Sequence, residues 1–230
     1  MIINVYKPKN WTSFDIVAKV RNLAKTKKVG HSGTLDPLAE GVLIVLTEKD
    51  TKIQDTFRDL PKEYYFEFIA GVTTPSADLE SLPKYVNAPN IEKIKELAPQ
   101  LSGRFVGQIE QTAPIFSAKK VNGQRLYSVA RSSDQETKEK TLSSLPKFTV
   151  TIYELNYKGC TEQSIVTDQG VVKLPVLAWH VKCSSGTYIR TLAEDLAVAL
   201  QTKAVVSKLV RIAIGNHKIE DSVKIEDLRF

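Results

Sequence analysis

GHSGTLDPLAEGVL, from Gly30 to Leu43, is the stretch on which the reading of this chain turns. Glycines stand at Gly30, Gly33 and Gly41, and between them lie an imidazole, His31, a carboxylate, Asp36, and Pro37 directly after it. Glycines flanking a short loop let backbone approach a ligand or another strand with no Cβ in the way. Asp36 then sits at the tip of such a loop. An Asp followed by Pro also fits the start of a helix, with the carboxylate as N-cap and the proline at the first helical position. His31 alone reads equally well as a hydrogen-bonded structural residue.

The flanking residues place the loop between regular elements. Ile2 to Tyr6 reads as a strand closed by Lys7-Pro8-Lys9-Asn10, since proline cannot donate to a ladder. Thr12-Ser13-Phe14-Asp15 fits a capping box, and Ile16, Val17, Val20, Leu23 and Ala24 recur at helical spacing. The following Lys25-Thr26-Lys27-Lys28 suits either the negative end of the helix dipole or a phosphate. Beyond the loop, Val42 to Leu46 is an unbroken apolar run of the buried-strand type. Thr51 to Leu60 suggests a helix with Ile53, Phe57 and Leu60 inward, and Lys62 to Val72 a strand rich in aromatics.

These residues carry a resemblance. GHSGTLDPLAEGVL resembles the catalytic motif of the TruB-type tRNA pseudouridine synthases, which isomerise the T-loop uridine at tRNA position 55. The resemblance implies that Asp36 is the catalytic nucleophile and that His31 contacts substrate. Lys62-Glu63-Tyr64 is similar to the family's K-x-Y motif, which implies Tyr64 lies against the uracil ring, as a catalytic and substrate-binding residue. KPKNWTS is similar to the family's opening DKPxGxTS, with Tyr6 and Asn10 replacing its acidic residue and glycine. Thr73 to Asp78 matches a further family segment only in part, and no role is carried over there.

Pro114 to Arg131 is a second such block. It interleaves Lys119, Lys120, Arg125 and Arg131 with Tyr127 around Asn122-Gly123, a pattern equally open to a solvated charged hairpin and to an RNA-contacting element. It resembles the family's inserted RNA-gripping loop, here at about residues 114–146, which implies RNA binding by those five side chains. Residues 132–145 are polar and suit a surface excursion.

The third block is Gly186-Thr187-Tyr188-Ile189-Arg190, at the end of a strand pattern from Val176 to Cys183. Ile189, Leu192, Ala193, Leu196, Ala199 and Leu200 make the next segment a helix, with Arg190 in its first turn. A cation there is opposed by the helix dipole, so an anionic partner is expected. The family's GTYIR motif implies that partner is Asp36, a catalytic role for Arg190, and that Tyr188 lies beside the base. Ala204 to Arg211 reads as a further apolar helix and resembles the family's A-x-V-x-x-L-x-R segment. Leu209 would then line the base pocket, although a leucine in such a run also serves as ordinary core.

Composition bounds the rest. At 230 residues, with 42% hydrophobic and 25% charged residues, the chain is an ordinary globular sequence long enough for one good-sized core, or one domain with a modest satellite. No apolar run approaches the ~20 residues of a membrane helix, and the N-terminus lacks a signal-peptide pattern, so a cytoplasmic protein with no membrane partner is expected. Two cysteines and three histidines without metal-ligand spacing predict no metal. The net charge of +6 suits a polyanion.

The expectation is therefore an α+β fold, a mixed, mainly antiparallel sheet flanked by helices, in a single catalytic domain over residues 1–230. The resemblance implies a tRNA T-arm substrate, no cofactor, and no room for the C-terminal PUA domain of many relatives. A monomer is the default. The rival readings are a non-catalytic RNA-binding or tRNA-folding protein on the same scaffold, and a hydrolase using Asp36 as base. The latter lacks a metal set, a GxSxG elbow or a P-loop.

Overall fold

Val42 to Leu46 is an interior strand of a mixed, mainly antiparallel sheet flanked by helices, and the neighbours on its two faces explain its unbroken apolarity. The computed structural model describes residues 1–117, 120–121, 124–126 and 145–230. In chain order the strands are β1 (Ile2–Lys7), β2 (Val29–His31), β3 (Glu40–Thr47), β4 (Lys62–Ala70), β5 (Val72–Thr73), β6 (Lys84–Tyr85) and β7 (Gly107–Thr112). They continue as β8 (Lys120–Val121), β9 (Gln124–Arg125), β10 (Lys147–Thr167), β11 (Gly170–Cys183), β12 (Ala204–Ile214), β13 (His217–Lys218) and β14 (Val223–Lys224). The α-helices are α1 (Ser13–Leu23), α2 (Gln54–Arg58), α3 (Ile91–Arg104) and α4 (Ile189–Ala199). The chain divides into two compact units, one of Met1–Phe66, His180–Ser185 and Lys208–Phe230, the other of Glu67–Trp179 and Gly186–Ser207.

In the first unit β1 runs antiparallel to β3, from Ile2 opposite Leu46 to Lys7 opposite Gly41. β12 runs parallel to β3, with Val210 opposite Glu40 and Arg211 opposite Gly41. Leu43 and Val45 point to one face, where they pack with Ile3, Val5, Ile16, Val17 and Val20 under α1. Val42, Ile44 and Leu46 point to the other and meet Ile214, Phe57, Leu60 and Ile219. With both faces covered, alternation disappears from the sequence. The capping box of α1 forms as expected: Asp15 N donates to Thr12 Oγ1 at 3.0 Å, and Thr12 N donates to Asp15 Oδ2 at 2.7 Å.

Two expected helices are corrected. Residues 51–60 do not form one: a 3₁₀ turn over Glu48–Ile53 passes into the short α2, and Ile53 is 44% exposed. Phe57 and Leu60 do pack inward. Ala204 to Arg211 is not helical but is part of β12. α4 ends first, with Gln201 at a φ of 58° and Thr202 N donating to the Ala197 carbonyl at 2.9 Å. The buried Ala204-Val205-Val206 run that follows is β-branched at both valines, and a strand covered on both faces imitates a buried helix in apolar spacing.

In the second unit β7 pairs antiparallel with β10, from Lys147 opposite Thr112 to Ile152 opposite Gly107. α3 packs on β10 and buries Ile94, Ala98 and Leu101, its start capped by Asn90 Oδ1, which accepts from Lys93 N at 3.0 Å. Ile69, Val72, Leu174, Val176 and Val205 form a core cluster. β10 and β11 extend well beyond the segments with apolar alternation, because their far ends are exposed and lack a buried face to impose one. β8 and β9 pair with Lys120 opposite Arg125. No helix among the described residues is long and apolar enough to cross a membrane.

Candidate active site

The loop carrying Asp36 leaves β2 at His31 and enters β3 at Glu40. Asp36 is no helix cap: Pro37 and Leu38 form a turn in which Ala39 N donates to the Asp36 carbonyl at 3.1 Å, and the chain passes directly into β3. The loop is tied down along its length. Ser13, buried in the first turn of α1, donates through Oγ to the Leu35 carbonyl at 3.1 Å and accepts from Leu35 N at 2.9 Å. Asn10 N donates to the Pro37 carbonyl at 2.8 Å. Asn10 has a φ of 67°, so the asparagine adopts the left-handed conformation that a glycine would supply at that turn. Tyr6, the other departure from the family pattern, donates its hydroxyl to Glu40 Oε2 at 2.7 Å. Burial and that carboxylate push the Tyr6 phenol up to about 12.

Lys7 and Arg211 are buried cations in this part of the first unit, and the buried Lys62 feels the charge of Arg211. Lys7 is wholly buried, and its Nζ donates to the carbonyls of Trp11 at 2.6 Å, Pro8 at 3.0 Å and Pro37 at 3.3 Å. Burial pushes its ammonium down to about 8, against the opposing pull of the Asp36 carboxylate, while Arg211 adds to the fall. Arg211, 1% exposed, donates from Nε to the Val42 carbonyl at 2.8 Å and from Nη2 to the Gly33 carbonyl at 3.1 Å. Gly41 makes this possible. A Cβ there would lie 2.3 Å from the Arg211 carbonyl oxygen, and its φ is +106°.

The remaining side chains of this site follow from β2, β4 and β12. His31 is held below the ordinary imidazole range, first by burial and then by Arg211, which favours the neutral ring at pH 7. Its Nδ1 is buried without a hydrogen-bond partner among the described residues. Tyr64 on β4 is 8% exposed; burial raises its phenol, and the Arg211 guanidinium opposes this through its charge and a hydrogen bond, with the Asp36 charge also felt there. Leu209 is half-buried on β12 two residues before Arg211, hence on the same face of the strand. His31, Asp36, Tyr64 and Leu209 thus share the first unit, together with Lys7 and Arg211, to which composition and spacing gave no role. Arg211 ends the A-x-V-x-x-L-x-R segment, and that position was the available signal.

Tyr188 and Arg190 belong to the second unit. Tyr188 is the N-cap residue of α4, its backbone fixed by Gln111, whose Oε1 accepts from Tyr188 N at 3.0 Å and whose Nε2 donates to the Tyr188 carbonyl at 3.2 Å. Its ring meets Phe148 edge-on at 5.7 Å. Arg190 is 4% exposed and donates from Nη1 to the Ser76 carbonyl and from Nη2 to the Phe116 carbonyl, both at 2.7 Å. Asp78 Oδ2 lies 3.8 Å from Arg190 Nη1, so Asp78 supplies negative charge beside this helix start within its own unit. Asp78 in turn accepts from Ser76 Oγ at 2.5 Å and from Glu80 N at 3.1 Å. Of the RNA-binding candidates, Lys120 and Arg125 fall in β8 and β9, while Lys119, Tyr127 and Arg131 lie outside the described residues.

A carboxylate on a pinned loop, a buried phenol, a neutral imidazole and buried cations suit nucleophilic chemistry better than a purely structural loop. The N-terminal-domain model of the TruB family pseudouridylate synthases matches residues 21–189. The chain belongs to that family of enzymes. It is 41% identical over 229 residues to the tRNA pseudouridine synthase B of Phocaeicola vulgatus, covering 96% of this chain and 88% of that one. It is 38% identical over 228 residues to the tRNA pseudouridine synthase B of Clostridium kluyveri, covering 99% and 71%. Among solved structures, its fold is similar to a chain of a Cbf5-Nop10-Gar1 complex, with a TM-score of 0.67, 24% identity, and coverage of 99% of this chain and 53% of that one.

Proposed function

We propose that the protein converts uridine to pseudouridine in tRNA, at position 55 of the T loop, with Asp36 as the nucleophile. The observation that carries this reading is the construction of the Asp36 loop, a carboxylate on a turn anchored by Ser13, Asn10, Lys7 and Arg211, whose charge is felt at Lys7 and Tyr64. Family membership supports the reaction, and the names of the relatives support tRNA as substrate.

The reaction is an isomerisation and needs no co-reactant. The bond from ribose C1′ to uracil N1 breaks, the ring turns, and C1′ bonds to C5; the C5 proton is released and N1 ends protonated. The target must first leave the T-loop stack, since the bond is otherwise inaccessible. Asp36 is the nucleophile that permits detachment. Tyr64, with an apolar face and a hydroxyl, retains the ring and relays a proton, while His31 as a neutral imidazole offers a hydrogen bond without charge. Leu209 lines the base side of the pocket. The family resemblance assigns Tyr188 to substrate binding and Arg190 to catalysis, and Lys119, Lys120, Arg125, Tyr127 and Arg131 bind the T arm. The domain works as a cytoplasmic monomer.

The test is tritium release from an unmodified tRNA transcript carrying 5-tritiated uridine. Release is expected from the wild-type sequence and not from a transcript with cytidine at position 55. Binding without release would instead support an RNA-binding protein, and release from the cytidine transcript would move the target elsewhere.

A further inference from the structure

Arg211 is one of the largest fully buried side chains among the described residues. Its charge opposes the protonated forms of Lys7, Lys62 and His31. Burying a cation among cations is costly, and an apolar side chain of similar volume would serve packing better. Its presence therefore calls for a reason beyond stability.

The geometry supplies one. Nε reaches the Val42 carbonyl at 2.8 Å and Nη2 the Gly33 carbonyl at 3.1 Å. Those carbonyls lie on opposite sides of Asp36 in the chain, one before the loop tip and one at the start of β3, so a single planar group spans both stems of the loop. The backbone is shaped to admit it. Gly41 is the register partner of Arg211, and a Cβ there would strike the Arg211 backbone, so the glycine lets β12 lie close enough to β3 for the side chain to reach both carbonyls. The same guanidinium engages the Tyr64 phenol.

We infer that Arg211 is a positioning residue: by clamping Gly33 and Val42 it fixes the loop so that the Asp36 carboxylate is held in its catalytic arrangement. This rests on the proposed isomerase function. Lysine keeps the charge but lacks the rigid fork that holds two carbonyls at a set spacing. Arg211→Lys is thus expected to keep tRNA affinity and KM within about threefold while kcat in the tritium-release assay falls about 10²-fold, the scale of a small misplacement of reacting groups. A kcat within about threefold of wild type, or a loss confined to KM, overturns the inference.

A measurement on the unaltered protein covers the case in which the variant does not fold. The Arg211 Nε–H, identified in the ¹H–¹⁵N spectrum, is expected to exchange slowly with water and to show hindered guanidinium rotation. Rapid exchange and free rotation would mean that no clamp exists. Wild-type protein that releases no tritium would refute the isomerase reading instead, and the clamp would then stand or fall on the Nε–H signal alone.

Discussion

Replacing Gly41 by alanine tests the packing that holds the Asp36 loop against β12. The new Cβ would sit 2.3 Å from the Arg211 carbonyl oxygen and 3.0 Å from its carbonyl carbon and amide nitrogen, all backbone atoms that cannot swing away. Relief requires β3 and β12 to separate by roughly 1 Å at that point, an overpacking cost of about 1–3 kcal/mol. The φ of +106° adds strain for any residue with a Cβ, about 1–2 kcal/mol. Together these give a loss of about 2–5 kcal/mol, a large share of the ~5–15 kcal/mol that folds a domain. Gly103, in the last turn of α3, is the control: nothing lies within 4 Å of its would-be Cβ, so alanine is expected to gain about 0.5–1 kcal/mol.

The two tryptophans separate the readouts. Trp11 packs on the core cluster of the first unit, and Trp179 is buried in the second. Urea unfolding followed by fluorescence in a Trp179→Phe background reports Gly41→Ala, and a Trp11→Phe background reports Gly103→Ala. A Gly41→Ala midpoint equivalent to less than about 0.5 kcal/mol of destabilisation at unchanged m would refute the close approach of these strands.

Other outcomes follow from charge. Burial lowers Lys7 to about 8, so between there and an unfolded value of about 10.4 the unfolded chain binds more protons and the Lys7 contribution to stability rises with pH. The stability of wild type minus that of Lys7→Met, from urea titrations across this window, is expected to increase with pH; a flat or falling difference contradicts the burial argument. Burial also raises Asp195 to about 6, so its carboxylate costs stability above that pH and ceases to do so below the unfolded value of about 3.9. Asp195→Asn should therefore raise Tm at pH 7, with the gain vanishing near pH 4. Neutralising Lys120 and Arg125 together should weaken tRNA binding and reduce the salt slope of log Kd by about one unit for each phosphate no longer neutralised; an unchanged slope removes β8 and β9 from the interface.

The motif loop was legible because glycine, aspartate and proline at fixed spacing make demands that few other backbones satisfy. The capping box at Thr12 and Asp15 was equally readable, being a local exchange of two hydrogen bonds. What escaped was whatever depends on partners distant in sequence. β12 passed for a helix because both its faces are buried where its apolar residues cluster, and periodicity cannot separate that case from a core helix. Arg211 stood at the end of the A-x-V-x-x-L-x-R segment, but nothing nearby in the sequence named its partners, since Val42 and Gly33 lie 169 and 178 residues away. Lys7 read as part of a turn, yet its ammonium links that turn to Pro37 in the loop. Asn10 departs from the family's glycine in chemistry but keeps a backbone conformation that glycine favours.

Asp36→Asn preserves the volume of the side chain and removes its charge and nucleophilicity, leaving the backbone anchors of the loop in place. Single-turnover tritium release with the variant saturating a tRNA transcript, beside a filter-binding Kd, separates chemistry from binding. Release is expected to be abolished, with Kd within about threefold of wild type. Release at a near-normal rate would contradict it, because no carboxylate would then be needed at the tip of that loop.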